Sequence, residues 1–257
     1  MKKSHIDLSV NNIDQSFIFA AGRGSRMRPL TDNIPKPLVK VDNKSIIDYS
    51  IEKLLKKDQF QKIIINGFHL SNQIHDHINH LNNDRIVFSK EDEKLETGGG
   101  LLFAKNKIDF QKPLLTINGD VFWQEKEDDL DLICKKFLED DCDILLGLKK
   151  KEDYFGYDSE IGDFNMDKNG NLSKDSDKMT YAFVGVSVIN PNILLEDFVE
   201  EFGEFFSMSE IYKRLLNENR DLKRIKGLEL KGKFFHIGTI NSLTKINNDI
   251  SCTNIKL

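Results

Sequence analysis

A short segment near the N-terminus combines glycines and cations at a spacing that suits phosphate binding. It runs Ala21-Gly22-Arg23-Gly24-Ser25-Arg26 and is followed by Pro35-Lys36-Pro37. Glycine lets backbone N–H groups come close to phosphate oxygens, because no Cβ stands between them. Arg26 can place two donors on one phosphate, and Lys36 adds a point charge on a backbone fixed by two prolines. The segment is therefore predicted to bind phosphates; the alternative is a surface loop with incidental charge.

Two common phosphate-binding motifs do not fit this segment. A Walker A loop would end in Gly-Lys-Ser or Gly-Lys-Thr, which the segment lacks. A dinucleotide fingerprint would need its third glycine at position 27, where the chain has Met27. The spacing excludes both motifs.

An aspartate follows the apolar run of residues 114–118, in the sequence Asn118-Gly119-Asp120. Open α/β sheets place their ligands just beyond the carboxyl ends of strands. A carboxylate suits Mg²⁺, which prefers oxygen and takes one or two protein carboxylates together with phosphates. Asp120 is therefore a candidate metal ligand; the alternative is a turn-forming Asn-Gly-Asp without a metal.

A second glycine-rich segment, Leu95-Glu96-Thr97-Gly98-Gly99-Gly100, opens a short predicted helix. Taken alone, such a run is more typical of a flexible turn than of a binding site. Its interpretation depends on the segments around it.

Apolar runs that end in turn residues alternate with helical patterns over the first 150 residues. Strands are predicted at 17–21, 63–65, 85–89, 114–118 and 143–148, and helices at 46–55, 71–81 and 128–139. This alternation is typical of a mostly parallel sheet with helices on both faces. Beyond it, the pattern predicts a hairpin turn at 167–171, strands at 181–189 and 233–237, and a helix over about 207–218. No convincing linker interrupts the chain, so residues 15–257 are predicted to form one domain and residues 1–14 a loosely held arm.

Composition narrows the class of protein. The 257 residues are 39% hydrophobic and carry a formal net charge of -5, which suits a globular domain and not a general nucleic-acid binder. No apolar run approaches the roughly 18 residues of a membrane span, and no signal peptide is visible. Three scattered cysteines suit a reducing compartment. A cytoplasmic location is expected, with no membrane or nucleic-acid partner.

The first segment resembles the N-terminal motif of the sugar-phosphate nucleotidyltransferases, Gly-x-Gly-Ser/Thr-Arg-x-x-Pro-x-Thr followed by Pro-Lys-Pro. The resemblance extends over about residues 16 to 249. It implies a Rossmann-like three-layer α/β/α fold with a mainly parallel mixed central sheet and an inserted β-hairpin region. It also implies a loop that wraps a nucleoside triphosphate, and catalytic roles for Arg26 and Lys36, which stabilise the charge that moves to pyrophosphate. The implied nucleotide contacts in this loop are Ala21, Gly22, Gly24 and Ser25.

Three further segments take roles from the same resemblance. The Glu-Thr-Gly-Gly-Gly form is similar to the N-acetylmuramate 1-phosphate uridylyltransferases, and a comparable loop in the family lies against the nucleobase. The implied nucleotide contacts outside the first loop are Glu91, Glu96, Thr97, Gly98 and Asn118. The family's Asn-Gly-Asp holds the catalytic metal, which implies Asp120 as a ligand. Gly156 lies where relatives contact the sugar.

One element departs from the family pattern. Lys233-Phe234-Phe235-His236-Ile237-Gly238-Thr239 resembles Trp-x-Asp-x-Gly-Thr, whose aspartate is usually the second metal ligand, but here that position is His236. Imidazole is a poorer ligand for Mg²⁺ than for Zn²⁺ or Mn²⁺, and the exchange removes one negative charge. Three interpretations stay open: the metal rests on Asp120, water and phosphates; Mn²⁺ or another softer metal replaces Mg²⁺; or turnover is impaired.

The reaction implied by the resemblance joins UTP to N-acetylmuramate 1-phosphate and releases pyrophosphate, as in peptidoglycan recycling. Two alternatives remain. Another sugar 1-phosphate and nucleotide could be used, such as mannose 1-phosphate with GTP or glucose 1-phosphate with dTTP or UTP. The chain could also bind nucleotides with little catalysis, as the histidine at position 236 suggests.

Overall fold

A computed structural model describes residues 12–174, 177–195, 201–217 and 224–253 of the chain. The strands in chain order are β1 (Gln15–Phe19), β2 (Lys40–Val41), β3 (Lys44–Ser45), β4 (Lys62–Gly67), β5 (Ile86–Lys90), β6 (Leu114–Asn118), β7 (Val121–Gln124), β8 (Ile144–Lys150), β9 (Asn165–Met166), β10 (Leu172–Ser173), β11 (Tyr181–Ile189), β12 (Ile225–Glu229) and β13 (Lys233–His236). The helices are α1 (Ile46–Leu55), α2 (Ser71–His80), α3 (Glu96–Phe103), α4 (Asp129–Glu139), α5 (Met208–Asn217) and α6 (Ile240–Thr253).

Seven of these strands form the central sheet, in the order β12-β8-β11-β6-β1-β4-β5. Every neighbouring pair is parallel except those of β11, which runs antiparallel to β6 and to β8. Strand β1 lies in the middle, with Phe17 opposite Ile64 of β4 and Thr116 of β6. The carboxyl ends of β1, β4, β5 and β6 therefore lie side by side, where an open sheet places its ligands.

Helices cover both faces of this sheet. Successive strand residues point to opposite faces, so Ile18 packs in one buried cluster and Phe17 in another. The first cluster contains apolar residues of α1, α2 and α4, and the second contains residues of α3 and α5. The three-layer α/β/α fold with a mainly parallel sheet is confirmed.

A third apolar cluster joins the segments that follow β1, β6 and β13. Met27, Phe122, Phe235 and Ile237 are buried in it together with Ile246 of α6. The Phe122 ring stacks on Phe235 with the ring centroids 4.9 Å apart. Because a packed aromatic pair has few alternative positions, this cluster holds the backbone around it in one arrangement.

The observed elements differ from the predicted ones in a few places. The first strand is shifted two residues toward the N-terminus relative to 17–21, because the buried Gln15 side chain is satisfied by hydrogen bonds, for example to Asp109 O at 2.7 Å. Strands β7 and β12 and helix α6 were not predicted. Of the predicted arm, residues 1–11 lie outside the described residues. No helix in the described part of the chain is both long and apolar enough to cross a membrane.

Candidate functional site

The loop that follows β1, residues 20–28 (the β1 loop), turns sharply at Gly24. This residue has φ +62°, and a Cβ atom there would lie 2.9 Å from Lys36 Cβ and from Thr31 Cγ2. Thr31 Oγ1 donates a hydrogen bond to Gly24 O at 2.8 Å, and Met27 is buried below the loop. Glycine is therefore required at position 24 both by the backbone conformation and by the close approach of Lys36.

The three other residues of the β1 loop that are predicted to contact the nucleotide are at least partly exposed. Gly22 and Ser25 are exposed and Ala21 is half-buried. A Cβ atom at Gly22 would meet no atom within 4 Å. The loop thus leaves room above Gly22 for a ligand to approach the backbone.

Lys36 crosses from its own short 3₁₀ helix, Lys36–Leu38, to the end of β6. Its side chain is only 10% exposed, and Nζ lies 2.6 Å from Asp120 Oδ2. Pro35 and Pro37 restrict the backbone on both sides of the lysine. The structure therefore places the two residues in direct contact, at the point where the β1 loop meets the turn after β6.

The turn Asn118-Gly119-Asp120 presses against the end of β1. Gly119 N donates to Phe19 O at 2.8 Å, and a Cβ atom at Gly119 would lie 2.6 Å from the same oxygen. Only glycine allows this approach, which brings Asp120 beside the β1 loop.

The charge of Asp120 is set by its neighbours. Burial alone would raise the pKa of its carboxyl group, but the Lys36 ammonium and the His236 imidazole outweigh burial and hold the pKa well below its usual range. Asp120 is therefore an anion at any physiological pH, and a neighbouring cation stabilises it.

His236 also lies against Asp120, and the two residues form one corner of the site. Its Nε2 lies 3.5 Å from Asp120 Oδ2, and Ile237 N donates to Asp120 O at 3.2 Å. The pairing of β13 with β7 places His236 opposite Val121, next to Asp120 in the chain. The predicted pair of metal-site residues is thus brought together, and the lysine and the histidine both lie near the same carboxylate oxygen, Oδ2 of Asp120.

Gly156 lies behind His236. It has φ +79°, and a Cβ atom there would lie 2.1 Å from His236 O, so the two backbones touch. The predicted sugar residue is therefore adjacent to the corner formed by Asp120 and His236.

Arg26 lies at the mouth of the site and not in its interior. Its side chain is 58% exposed, and Nη1 is 3.8 Å from Asp158 Oδ2, which is itself 61% exposed. A Cβ atom at Gly238 would lie 3.5 Å from the same Nη1 and 2.9 Å from His236 Cε1. An exposed ion pair at this distance is weak, so the guanidinium can leave Asp158 for a stronger anion.

The second glycine-rich segment is packed against another part of the chain. Gly98 N and Gly99 N both donate to Phe206 O, at 2.9 and 3.0 Å, and Thr97 Oγ1 accepts from Met208 N at 2.8 Å. The Gly98 N–H and the Thr97 hydroxyl oxygen, which the resemblance assigns to contacts with the nucleobase, are thus already hydrogen-bonded to other residues of the chain.

Glu91 and Glu96 lie in contrasting surroundings. Glu91 is only 2% exposed, and its Oε1 accepts a hydrogen bond from Asn66 Nδ2 at 2.6 Å. Burial, the largest influence, raises the pKa of Glu91, while the hydrogen bonds from Asn66 and Leu95 N lower it in part. Glu96 has φ +60° at the start of α3 and pairs with Lys94.

Asn118 closes the site on the side of β11. A Cβ atom at Gly185, which has φ +78°, would lie 2.9 Å from Asn118 Cβ. Asn118 therefore packs directly on the glycine, at the end of β6 and next to Phe19 of β1.

A protein-family model described as nucleotidyl transferase matches residues 15–251 of the chain. The chain belongs to the nucleotidyl transferase family. The match covers the whole site, from the β1 loop to the segment around His236, so the corner described above lies in the part of the chain that defines the family.

Two relatives of this nucleotidyl transferase differ in length. The N-acetylmuramate alpha-1-phosphate uridylyltransferase of Caulobacter vibrioides is 28% identical over 231 residues, which cover 87% of this chain and 91% of that protein. The bifunctional protein GlmU of Methanococcus aeolicus is 30% identical over 249 residues, which cover 91% of this chain but only 53% of that protein. The chain thus spans about half the length of the second relative.

A solved structure shows the same fold at low sequence identity. UDP-glucose pyrophosphorylase complexed with UDP-glucose superposes with a TM-score of 0.74 at 15% identity, over 93% of this chain and 99% of that one. This likeness supports the architecture of the nucleotidyl transferase described here.

Sequence reasoning missed several residues that the structure places at the site. Asn66 ends the apolar run of β4, and its side chain accepts the N–H of Ala20 at 2.6 Å. Asp158 was also missed, and its Oδ2 lies 3.8 Å from Arg26 Nη1. A polar residue directly after three isoleucines was the one signal that could have identified Asn66.

The donor set at Asp120 determines what kind of cation fits. Among the described residues, no group of three or more His, Cys, Asp and Glu side chains is placed to hold a metal ion. Asp120 offers one carboxylate, and the ammonium of Lys36 already lies against it. Such a site does not fit a cation held by protein ligands alone, but it fits Mg²⁺ shared between one carboxylate, phosphates and water.

Proposed function

We propose that this nucleotidyl transferase joins UTP to N-acetylmuramate 1-phosphate, giving UDP-N-acetylmuramate and pyrophosphate. The choice of substrates is supported by the Glu-Thr-Gly-Gly-Gly segment and by the uridylyltransferase relative whose length the chain nearly matches. The GlmU relatives are similarly close, so the substrate rather than the reaction class is the open part of the proposal.

One observation carries the proposal: the Lys36 ammonium lies 2.6 Å from the Asp120 carboxylate, next to the β1 loop, where a Cβ atom at Gly24 would lie 2.9 Å from Lys36 Cβ. A cation, an anion and a glycine-containing loop thus meet at the carboxyl ends of β1 and β6. This combination suits a nucleotide whose phosphates bind the lysine and the loop while a divalent cation binds the aspartate.

The reaction forms one P–O bond and breaks another. A phosphate oxygen of the sugar 1-phosphate attacks the α-phosphorus of UTP, and the bond from the α-phosphorus to the bridging oxygen of the β-phosphate breaks. Its electron pair leaves on pyrophosphate. The attacking oxygen is largely ionised at neutral pH, so no general base is needed. The protein must align two anions that repel each other.

Lys36 and Arg26 have different tasks in this scheme. Lys36 is held in place and exchanges its contact with Asp120 for one with the triphosphate, so its charge is preorganised. Arg26 is exposed and moves from Asp158 onto phosphate oxygens that carry charge in the transition state. The backbone N–H groups from Ala21 to Ser25 hold the remaining oxygens.

Asp120, with His236 beside it, would hold Mg²⁺ or Mn²⁺ together with the nucleotide. The ion, when bound, supplies positive charge to the phosphates. Because His236 adds no negative charge, we propose that Asp120, water and phosphates supply most of the ligands. Replacing His236 by aspartate should then increase Mg²⁺-dependent turnover.

The base and sugar contacts complete the proposal. The buried Glu91, with Glu96, Thr97, Gly98 and Asn118, is proposed to face the uridine side of the nucleotide. Gly156, pressed against the backbone of His236, is proposed to line the sugar side. Since Thr97 Oγ1 and Gly98 N are bonded to residues 206–208, any contact they make with the base uses their remaining atoms.

A substrate screen tests this function. Purified protein is incubated with each of UTP, dTTP, GTP, CTP and ATP against N-acetylmuramate, N-acetylglucosamine, glucose and mannose 1-phosphates, with Mg²⁺ or Mn²⁺, and pyrophosphate is measured. We expect the highest kcat/KM for UTP with N-acetylmuramate 1-phosphate, and no release when the sugar phosphate is omitted. A higher value for another pair would replace the substrates but keep the class. UTP binding without any pyrophosphate release would identify a nucleotide-binding protein.

A further inference from the structure

The side chain of Asn66 joins three neighbouring strands at the end of the sheet that carries the site. It is 2% exposed, at the carboxyl end of β4. Its Oδ1 accepts the N–H of Ala20, just after β1, at 2.6 Å. Its Nδ2 donates to Oε1 of Glu91, just after β5, at 2.6 Å. One amide thus links the start of the β1 loop to a buried carboxylate.

These bonds fix the peptide group between Phe19 and Ala20 from both sides. The Phe19 carbonyl oxygen accepts from Gly119 N at 2.8 Å, and the Ala20 N–H donates to Asn66 Oδ1. The plane of this peptide sets the direction in which the β1 loop leaves the sheet. The turn that carries Asp120 therefore holds one edge of the peptide, and Asn66 holds the other.

The orientation of the Asn66 amide follows from its partners. The Ala20 N–H is a donor, so the carbonyl end of the amide must face it. The NH₂ end then needs an acceptor, and Glu91 Oε1 is one. The Glu91 backbone is held beside β4, because its N–H donates to Gly67 O at 2.9 Å, and the Leu95 N–H donates a hydrogen bond to its carboxyl group. Glu91 thus selects the amide orientation that can hold Ala20.

This arrangement places a polar pair in the buried interior, directly behind the β1 loop. Glu91 is buried without a cation to balance it in the described part of the chain, and burial raises its pKa. Well-packed apolar side chains at such positions commonly serve stability as well or better than buried polar ones. The buried polar pair is explained if the position of the Ala20 N–H matters for function.

We propose that Asn66 is a positioning residue for the β1 loop, held in orientation by Glu91, so that the loop N–H groups are aimed at the phosphates of the nucleotide. The inference rests on the proposed function, since it assigns the β1 loop to phosphates. It concerns phosphate binding of every nucleotide alike and is independent of which base or sugar is used.

Two variants test this pair, and the second of them exchanges its donor and its acceptor. In Asn66→Asp, the Ala20 N–H keeps its acceptor, but a second carboxylate faces Glu91 and the orientation is lost. In the double variant Asn66→Asp/Glu91→Gln, the new glutamine amide donates to the new aspartate, and the total charge equals that of the wild type. Ser89→Ala is the matched control, because Ser89 pairs with Asn66 in the sheet, is 1% exposed and has a hydroxyl without a hydrogen-bond partner.

The test measures the affinity for inorganic tripolyphosphate, which has no base or sugar, together with the NMR signal of the Ala20 amide. We expect Asn66→Ala and Asn66→Asp to weaken tripolyphosphate binding about tenfold, equivalent to about 1.4 kcal/mol. The double variant should recover to within about threefold of the wild type, and Ser89→Ala should stay within about twofold. The Ala20 amide proton should shift upfield in Asn66→Ala.

Two results would overturn the inference. One is an Asn66→Ala protein that is folded and binds tripolyphosphate as the wild type does. The other is a double variant that binds no better than Asn66→Asp, and this comparison remains available if Asn66→Ala does not fold. A wild type that binds tripolyphosphate but releases no pyrophosphate with any substrate pair would defeat the proposed function and leave the role of Asn66 to be judged by these measurements.

Discussion

The two glycine-rich segments of this nucleotidyl transferase lie in different surroundings. In the β1 loop, a Cβ atom at Gly22 would meet nothing within 4 Å. At the start of α3, Cβ atoms at Gly98 and Gly99 would lie 2.2 Å from the Phe206 ring and 2.1 Å from Glu204 O. Gly22 in the first segment leaves space for a ligand, whereas Gly98 and Gly99 in the second let two parts of the chain pack. Glycine content alone does not distinguish these uses; the neighbouring residues do.

Cations differ between the two segments in the same way. The β1 loop is accompanied by Lys36, which lies against Asp120, and by the exposed Arg26. The start of α3 has Lys94, which pairs with Glu96. Only the first segment therefore combines open backbone with cations that can be transferred to a phosphate.

The largest effect is expected from replacing Lys36, which contacts Asp120 beside the β1 loop. Lys36→Ala should lower kcat by about 10²–10³-fold, because a preorganised cation is lost where charge develops. UTP affinity should fall less, by under about tenfold. Pyrophosphate release and calorimetric titration with UTP measure the two quantities. Lys40→Ala, which removes an exposed lysine nearby, is the control and should behave as the wild type. Equal losses in kcat and affinity would mean that Lys36 contributes uniform binding only.

Gly99→Ala should damage the fold and not the chemistry. Its Cβ would overlap a backbone oxygen, which cannot rotate away, so the free energy of unfolding should fall by about 1–3 kcal/mol. Urea unfolding measures this loss. For the protein that remains folded, the affinity for tripolyphosphate should not change. A Gly99→Ala variant that is as stable as the wild type but unable to bind tripolyphosphate would show that the second segment serves phosphate binding and not packing.

Acid should reduce the contribution of the Asp120 carboxylate to the free energy of unfolding, in a defined range of pH. The pKa of Asp120 in the folded protein lies below its ordinary value of 3.8, because Lys36 and His236 together outweigh the effect of burial. Its contribution to stability is therefore complete above about pH 4 and is lost as the pH falls toward the folded pKa. The difference in unfolding free energy between wild type and Asp120→Asn should shrink below pH 4. A difference that stays constant from pH 3 to pH 7 would show that the ion pair does not lower the pKa of the Asp120 carboxyl group.

Gly22→Ala should give the smallest effect and the opposite pattern to Gly99→Ala. The free energy of unfolding should stay within about 0.5 kcal/mol of the wild type, since the added Cβ meets no protein atom. UTP affinity should fall about three- to tenfold, because the methyl group enters the space of the phosphates. Thermal unfolding and UTP titration test both statements. Unchanged affinity would mean that the nucleotide does not approach this part of the loop.

The sequence predicted the central fold well because the strands near the site are short apolar runs ended by turn residues. Ile63-Ile64-Ile65 and the run of residues 114–118 both lie in the sheet as predicted. Strand β1 was misplaced by two residues because Gln15 is buried through hydrogen bonds from its side chain, which an apolar pattern does not register. Helix α6 was missed although Ile240, Leu243 and Ile246 have helical spacing.

Residue type alone pointed to some residues of the candidate site, whereas only the three-dimensional structure reveals the others. Lys36 and Asp120 were selected as a cation and an anion, and they lie in contact. Asn66 was not selected, because an asparagine after a strand has many uses and its link to Ala20 depends on strand order. The hydrogen bonds that Gly98 and Gly99 donate to Phe206 depend on a chain segment about one hundred residues away, which no local motif can reveal.

A crystal structure of the protein with UTP and Mg²⁺ would show whether the β1 loop and Lys36 bind the triphosphate. We expect the triphosphate above Gly22, with Lys36 Nζ moved from Asp120 to a phosphate oxygen and the ion between Asp120 and the same phosphates. A triphosphate bound away from the β1 loop, with the Lys36–Asp120 contact unchanged, would contradict the account.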